Sequence, residues 1–98
     1  MLVKIHESYR KIVAVCDSDL LGKIVEEGKM RLDISKDFFG GEKKSEKEVI
    51  EIIKDANLDD ATFNFVGKKS VDVALKIGLI DKDGIISIQG VPCALSLL

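Results

Sequence analysis

The apolar positions change period part-way along the chain. Up to residue 34 they alternate or fall in short blocks rich in Val and Ile. Leu2 to Ile5 and Lys11 to Val15 are two such blocks, with the polar stretch His6 to Arg10 between them. That is the pattern of a β-hairpin. Asp17 or Ser18 is placed to cap a short helical turn through Leu20 and Leu21, which Gly22 ends. Lys23 to Glu26 and Lys29 to Ile34 predict a second hairpin around Glu27-Gly28. Within it Met30, Leu32 and Ile34 alternate with Arg31, Asp33 and Ser35, giving one apolar and one wet face.

Beyond residue 44 the period lengthens. Ser45-Glu46-Lys47-Glu48 has capping-box spacing, and Val49, Ile52, Ile53 and Ala56 then form a helical stripe that stops near Asn57. Thr62 to Val66 reads as a strand with Phe63 and Phe65 on one face, broken by Gly67. Ser70 is placed to cap a second helix through Val71, Ala74 and Leu75, ended by Gly78. Asp81 to Gly84 is a turn, and Ile85 to Ile88 a final strand that Gly90-Val91-Pro92 ends. Pro92 fixes its own φ and lacks an N–H, so the chain is expected to turn there. The order ββ, ββ, α, β, α, β predicts an α+β fold. Two helices cannot cover both faces of such a sheet, so the expectation is a two-layer sandwich: a mostly antiparallel sheet with two main helices on one face.

Lys36-Asp37-Phe38-Phe39-Gly40-Gly41 separates the two regimes. Two aromatics carry much apolar area and two glycines allow unusual backbone angles. The stretch is read as a buried wedge, with at least one ring in the core, followed by a sharp turn with positive φ at Gly40 or Gly41.

At 98 residues the chain suits a single domain, 1–98. The charged fraction of 33% is balanced to a net −2, which argues against tight, sequence-independent nucleic-acid binding. No run approaches the roughly 18 apolar residues of a membrane span. The first residues already read as a strand, so a cytoplasmic location without membrane contact is expected. Cys16 and Cys93 are expected as free buried thiols. The scarcity of Gln, Asn and Trp suits a thermophile, in which a Cys16–Cys93 disulfide is the alternative.

Motif chemistry is sparse. Leu21-Gly22-Lys23 lacks the upstream Gly and the following Ser or Thr of a phosphate loop, having Asp17 and Ile24 there. Asp81 to Gly84 has its glycine too early for a calcium loop. His6 is the single histidine and has no partner at a recognisable spacing. No catalytic residue, metal ligand or cofactor is assigned. A thiol at Cys16 beside a helical turn could be activated, although Asp17 opposes this. Lys43-Lys44 and Lys68-Lys69 each follow a glycine, and if they meet near Phe38 and Phe39 they form a basic–aromatic patch suited to single-stranded RNA. The plain alternative is a solvated face over core phenylalanines.

Six stretches together resemble a known family. They are Cys16-Asp17 with Asp19 to Lys23, Glu27-Gly28, Phe38-Phe39-Gly40-Gly41, Asn64-Phe65-Val66-Gly67, Gly78-Leu79-Ile80 and Gly90-Val91-Pro92. In order and spacing the chain resembles the archaeal domain-of-unknown-function family 424, over nearly its whole length. The resemblance implies an archaeal cytoplasmic source and a two-layer α+β fold, and brings no assigned activity. The family pattern has Phe-Tyr-Gly-Gly where this chain has Phe39, and Gly-Val-Pro-His-Ala-Gln where it has Cys93 and Leu95. Any role of that imidazole is therefore not carried over.

Three functions are open. The first is a binding module for RNA or ribosome-associated proteins of the translation machinery, through the lysine pairs and Phe38-Phe39. The second is a homodimeric protein-interaction module, using the apolar tail Ala94 to Leu98. The third is a small-molecule or enzyme site at the Cys16-Asp17, Gly22-Lys23 and Phe38-Phe39-Gly40-Gly41 junctions, with Asn64, Gly67, Gly90 and Pro92 as further candidate binding residues. Convergence of these junctions on one concave pocket would favour the third.

Overall fold

A computed structural model of the chain describes residues 1–96. Its elements are β1 (Leu2–His6), β2 (Ile12–Cys16), β3 (Ile24–Glu27), β4 (Met30–Asp33), α1 (Lys36–Phe39), β5 (Glu42–Lys43), α2 (Glu46–Leu58), β6 (Thr62–Val66), α3 (Lys68–Lys76), β7 (Ile85–Ile88) and β8 (Val91–Ser96). Single 3₁₀ turns occupy Ser18–Leu20 and Lys82–Gly84. Six strands form one sheet in the order β5-β1-β2-β6-β8-β7, and β3 and β4 form a separate hairpin. The fold is α+β. Within the large sheet only β2 and β6 run parallel; the other pairs are antiparallel.

Alternation sends successive strand residues to opposite faces. Val3, Val13, Val15, Phe63 and Phe65 point to one face, where Val49, Ile53 and Ala56 of α2 and Val71, Val73 and Ala74 of α3 complete the main core. Phe63 and Phe65 lie parallel with centroids 6.0 Å apart. The α2 capping box is complete: Glu48 N–H donates to Ser45 Oγ at 3.2 Å, and Ser45 N–H donates to Glu48 Oε1 at 3.0 Å. The second face holds a smaller cluster of Ala14, Cys16 and Val66 under Phe39 and Ile34. It is covered over β1 and β2 by α1, and beside β7 by the β3–β4 hairpin.

The end of the chain departs from the expectation. Ile85–Ile88 is not the last strand, and the chain does not leave the sheet at Pro92. Gln89 and Gly90 have φ of 53° and 80°, the left-handed angles of a two-residue hairpin loop between Ile88 and Val91. β8 then runs back between β7 and β6. The Pro92 carbonyl accepts from Gly67 N–H at 2.8 Å. Its nitrogen faces the same way, past Val66–Cys93, the terminal pair of the β6–β8 ladder, so the missing N–H breaks no ladder bond. Ala94 of the expected tail is therefore a buried sheet residue and Leu95 an exposed one, while Leu97 and Leu98 lie outside the described residues.

Two further expectations change. Phe38-Phe39 ends a one-turn helix whose start Ser35 caps, its Oγ accepting from Phe38 N–H at 3.2 Å. Phe39 is buried as expected, but neither following glycine has positive φ. Gly40 turns the chain at φ −81° and ψ 58°, with Gly41 N–H donating to Phe39 O at 2.9 Å, an inverse γ-turn. Space is what excludes a side chain: a Cβ on Gly41 would strike the Val3 carbonyl. Glu42–Lys43, read as loop, then pairs with Leu2 and Val3 as the edge strand.

Replacing Phe39 by Ala removes the ring that closes the second cluster. Urea denaturation should show a loss of about 3–5 kcal/mol, and a smaller loss for the half-buried Phe38. A loss at Phe39 under about 1 kcal/mol would place its ring outside the core.

Candidate functional site

β2 and β6 end side by side, and the carboxyl ends of adjacent parallel strands are where α/β sheets hold ligands. Here the place is filled by Asp17. Its Oδ1 accepts from Ser70 N–H at 2.9 Å and from Ser70 Oγ–H at 2.8 Å, and its Oδ2 accepts from Lys69 N–H at 3.1 Å. The carboxylate thus caps α3 from 52 and 53 residues away, and Ser70 is a donor inside the first turn rather than the cap. Gly67 takes φ 104°, and a Cβ there would run into the Asp17 carboxylate. Two of the free donors of the α3 terminus, Lys69 N–H and Ser70 N–H, are thus taken by this carboxylate where an anion would otherwise bind.

The register sets one row across the second face: Lys43, Leu2, Cys16, Val66, Cys93, Ile86. Val66 stands between the cysteines, so their Cα atoms are two strand spacings apart, roughly 10 Å. A disulfide needs less than about 7 Å, and both thiols are free. Cys16 is fully buried. Burial first, then the neighbouring Asp17 charge, raises its thiol from 9.0 to about 11. That is the opposite of activation. Burial also raises the half-buried Cys93, whose Sγ donates to Ile86 O at 3.3 Å.

The lysine pairs stand at the same end of the sheet, Lys43 in the row above and Lys68-Lys69 opening α3. β1 and β2 separate β5 from β6, about 14 Å across three spacings. Lys44 pairs with Glu42 at 3.0 Å and Lys68 with Asp72 at 3.9 Å. Phe39 is core, and Phe38 stacks on His6 at 4.8 Å, with His6 Nε2 donating to the Phe38 carbonyl at 2.9 Å. The buried ring is not available to stack a base. Lys23 is exposed, and its backbone holds the hairpin through Ile34 N–H donating to its carbonyl at 2.9 Å. Gly40, Gly41, Gly90 and Pro92 shape turns and close packing. Among the described residues no group of three or more His, Cys, Asp or Glu is placed to hold a metal.

What remains open on the second face is the part around Asn64 of β6, Leu95 of β8 and Ile86 of β7; Val66 and Ile88 on the same face are buried. A hollow of about 210 Å³ lies there, lined by Leu32, Phe39, Asn64, Val66, Cys93 and Leu95, with Ile86 on its border. Leu95 and Ile86 are 54% and 53% exposed. They are diagonal neighbours, since Ile86 pairs with Cys93. The Asn64 side chain has no hydrogen-bond partner among the described residues, and its amide is the one polar side chain with both a donor and an acceptor in the lining. Of the expected site residues, Phe39 and Asn64 reach this hollow; Cys16, Asp17 and Gly67 are sealed beneath the surface. The sequence reading missed Ile86, because alternation with Ser87 groups it with the buried Ile88 and only the absence of anything overhead leaves it exposed.

Comparison with known proteins fits this fold. The family model described as "Protein of unknown function (DUF424)" matches residues 5–97. The chain belongs to this family. A crystal structure of an uncharacterized conserved protein from Methanopyrus kandleri is similar to it, with a TM-score of 0.85 and 27% identity, over 96% of this chain and 87% of that one. No functionally curated protein matches the sequence. The family is thus shown, and it carries no assigned activity.

Two measurements test the buried site. Asp17→Ala strands two backbone N–H groups and a buried hydroxyl, and should cost about 2–4 kcal/mol with early loss of α3 protection in hydrogen exchange. Unchanged exchange in α3 would deny the carboxylate its capping role. For Cys16 the folded state holds the proton more tightly than the unfolded one. The associated stability is complete below pH 9 and lost as the pH climbs toward about 11. Unfolding free energy should therefore fall more steeply over that window in the wild type than in Cys16→Ala; equal slopes would mean that the thiol is hydrated.

Proposed function

We propose that the protein is a protein-interaction module whose contact surface is the open second face of its sheet. One observation carries the reading: Leu95 and Ile86 stand side by side, each more than half exposed, at an apolar hollow whose lining has no charged side chain. Isolated exposed aliphatics are ordinary, but two beside a shared hollow have the anatomy of an interface centre. A hollow of about 210 Å³ is smaller than the roughly 300–1,000 Å³ of small-molecule sites, which favours side chains of a partner over a free metabolite.

RNA or ribosome association through Lys43, Lys44, Lys68 and Lys69 draws less support, because two of these lysines already have acidic partners and the neighbouring aromatic Phe39 is core. An enzyme site at Cys16 and Lys23 draws less again, with the thiol buried and protonated.

A photo-reactive benzophenone side chain at position 95 tests the reading in extracts of the source organism. Nuclease-resistant adducts of protein mass are expected at 95, and none at Lys47 on the exposed side of α2. Adducts that vanish with nuclease, or none at 95, would overturn it.

A further inference from the structure

We propose that Asp83-Gly84 is a self-modifying site, which isomerises to an isoaspartyl linkage at a rate set by the opening of the 3₁₀ turn that holds it. The only co-reactant is water. The Gly84 main-chain nitrogen attacks Asp83 Cγ and forms an N–Cγ bond. One water leaves, made from the carboxyl OH and the Gly84 N–H proton, and a five-membered succinimide remains. Water then adds back. Opening at Cγ restores aspartate. Opening at the main-chain carbonyl leaves Gly84 bonded through Cγ, an isoaspartate of unchanged mass.

Three observations place the reaction here. Asp83 is the only Asp or Asn followed by glycine, whose missing side chain leaves the attacking nitrogen unhindered. Both residues are exposed. Gly84 is also the one glycine of the eight with neither a positive φ nor a close neighbour at its Cβ position, the nearest atom being Asp81 Oδ1 at 4.0 Å. The fold therefore does not require the residue that makes the pair reactive. By contrast Asp17, which precedes Ser18, is 7% exposed and has its carboxylate held by three donors.

The turn supplies the control. Gly84 N–H donates to Asp81 O at 3.0 Å, and Ile85 N–H to Lys82 O. Attack requires the Gly84 N–H to give up its acceptor and its proton. Ring closure also brings that nitrogen in line with Asp83 Cβ, which needs a ψ well away from the roughly −20 to −30° of a 3₁₀ turn. Both conditions are met when the turn opens, so the observed rate is the intrinsic peptide rate scaled by the open fraction. The consequence falls on β7. Ile85 starts that strand opposite Ala94, so the added main-chain methylene enters directly ahead of the strand that carries Ile86.

Peptide mapping after prolonged incubation below the melting temperature, scored by isoaspartyl methyltransferase labelling, tests this. It compares the folded wild type, the wild type in urea, Gly84→Ala and a synthetic peptide of residues 80–88. The expected result is isoaspartate chiefly at position 83 of the folded wild type, formed about tenfold or more slowly than in the peptide, and at the peptide rate in urea. Gly84→Ala folds, since its added Cβ meets only ordinary contact, and loses most of the labelling. A folded wild type that reacts as fast as the peptide overturns the control by the turn. No label at 83 in the folded wild type while the peptide reacts, or labelling that survives Gly84→Ala, overturns the site.

Discussion

The Asp17 carboxylate is the constraint on which the architecture turns. A carboxylate 7% exposed is costly unless its lone pairs are filled, and here three donors fill them, all from the first turn of α3. The negative group also faces the positive end of the α3 dipole. Each neighbouring choice follows. Gly67 lacks a Cβ because the carboxylate occupies that volume, and Ser70 is small and hydroxylated because it sits in the core and donates. Fixing the start of α3 sets which of its sides meets the sheet, and so brings Val71, Val73 and Ala74 onto Phe63 and Phe65. The same bonds close the place at the end of β2 and β6 where a phosphate would otherwise be held.

Where the signal is local, the sequence predicts the structure closely. Thr62–Val66 and Ile85–Ile88 are recovered residue for residue, because each is a β-rich run bounded by turn formers. The Ser45–Glu48 box is recovered for the same reason. The failures are non-local. Ser70 satisfies the rule for a helix cap, yet the cap comes from Asp17, and no spacing rule links the two. Gly90-Val91-Pro92 reads as an ending because Gly and Pro end strands on average. Whether Pro92 breaks a ladder depends on how far β6 extends beside it, which is a property of the neighbouring strand. Gly40 and Gly41 are read correctly as needing glycine and wrongly as to why: a Cβ on Gly40 would meet the Lys36 carbonyl four residues back, and one on Gly41 the carbonyl of Val3, 38 residues earlier.

The two faces of the sheet are unequally covered. The helix face is closed by two amphipathic helices. The second face is covered by smaller pieces: a one-turn helix over β1 and β2, and a two-stranded hairpin beside β7. Together they bury Val66 of β6 but leave Leu95 of β8 and Ile86 of β7 more than half exposed. Within a strand, a residue left uncovered looks no different from one that is packed. Leu95 and Phe65 are both apolar strand residues, yet one is 54% exposed and the other fully buried. Exposure of this kind is set by what lies overhead, so the candidate surface was illegible in the alternation even though the strand carrying Ile86 was not.

The chain's departures from the family pattern it resembles fall on this surface. Phe39, Cys93 and Leu95 all line the hollow, and stand where the pattern has Tyr, His and Gln. Each exchange replaces a hydroxyl, imidazole or amide by a less polar group of comparable bulk or smaller. At these three positions the side chains present are less polar than those of the pattern, and Asn64 is the side-chain amide in the lining. A surface altered in this direction loses hydrogen-bonding partners for a polar ligand and gains area that is stabilised by exclusion of water. That favours an apolar contact over a chemical step at this face.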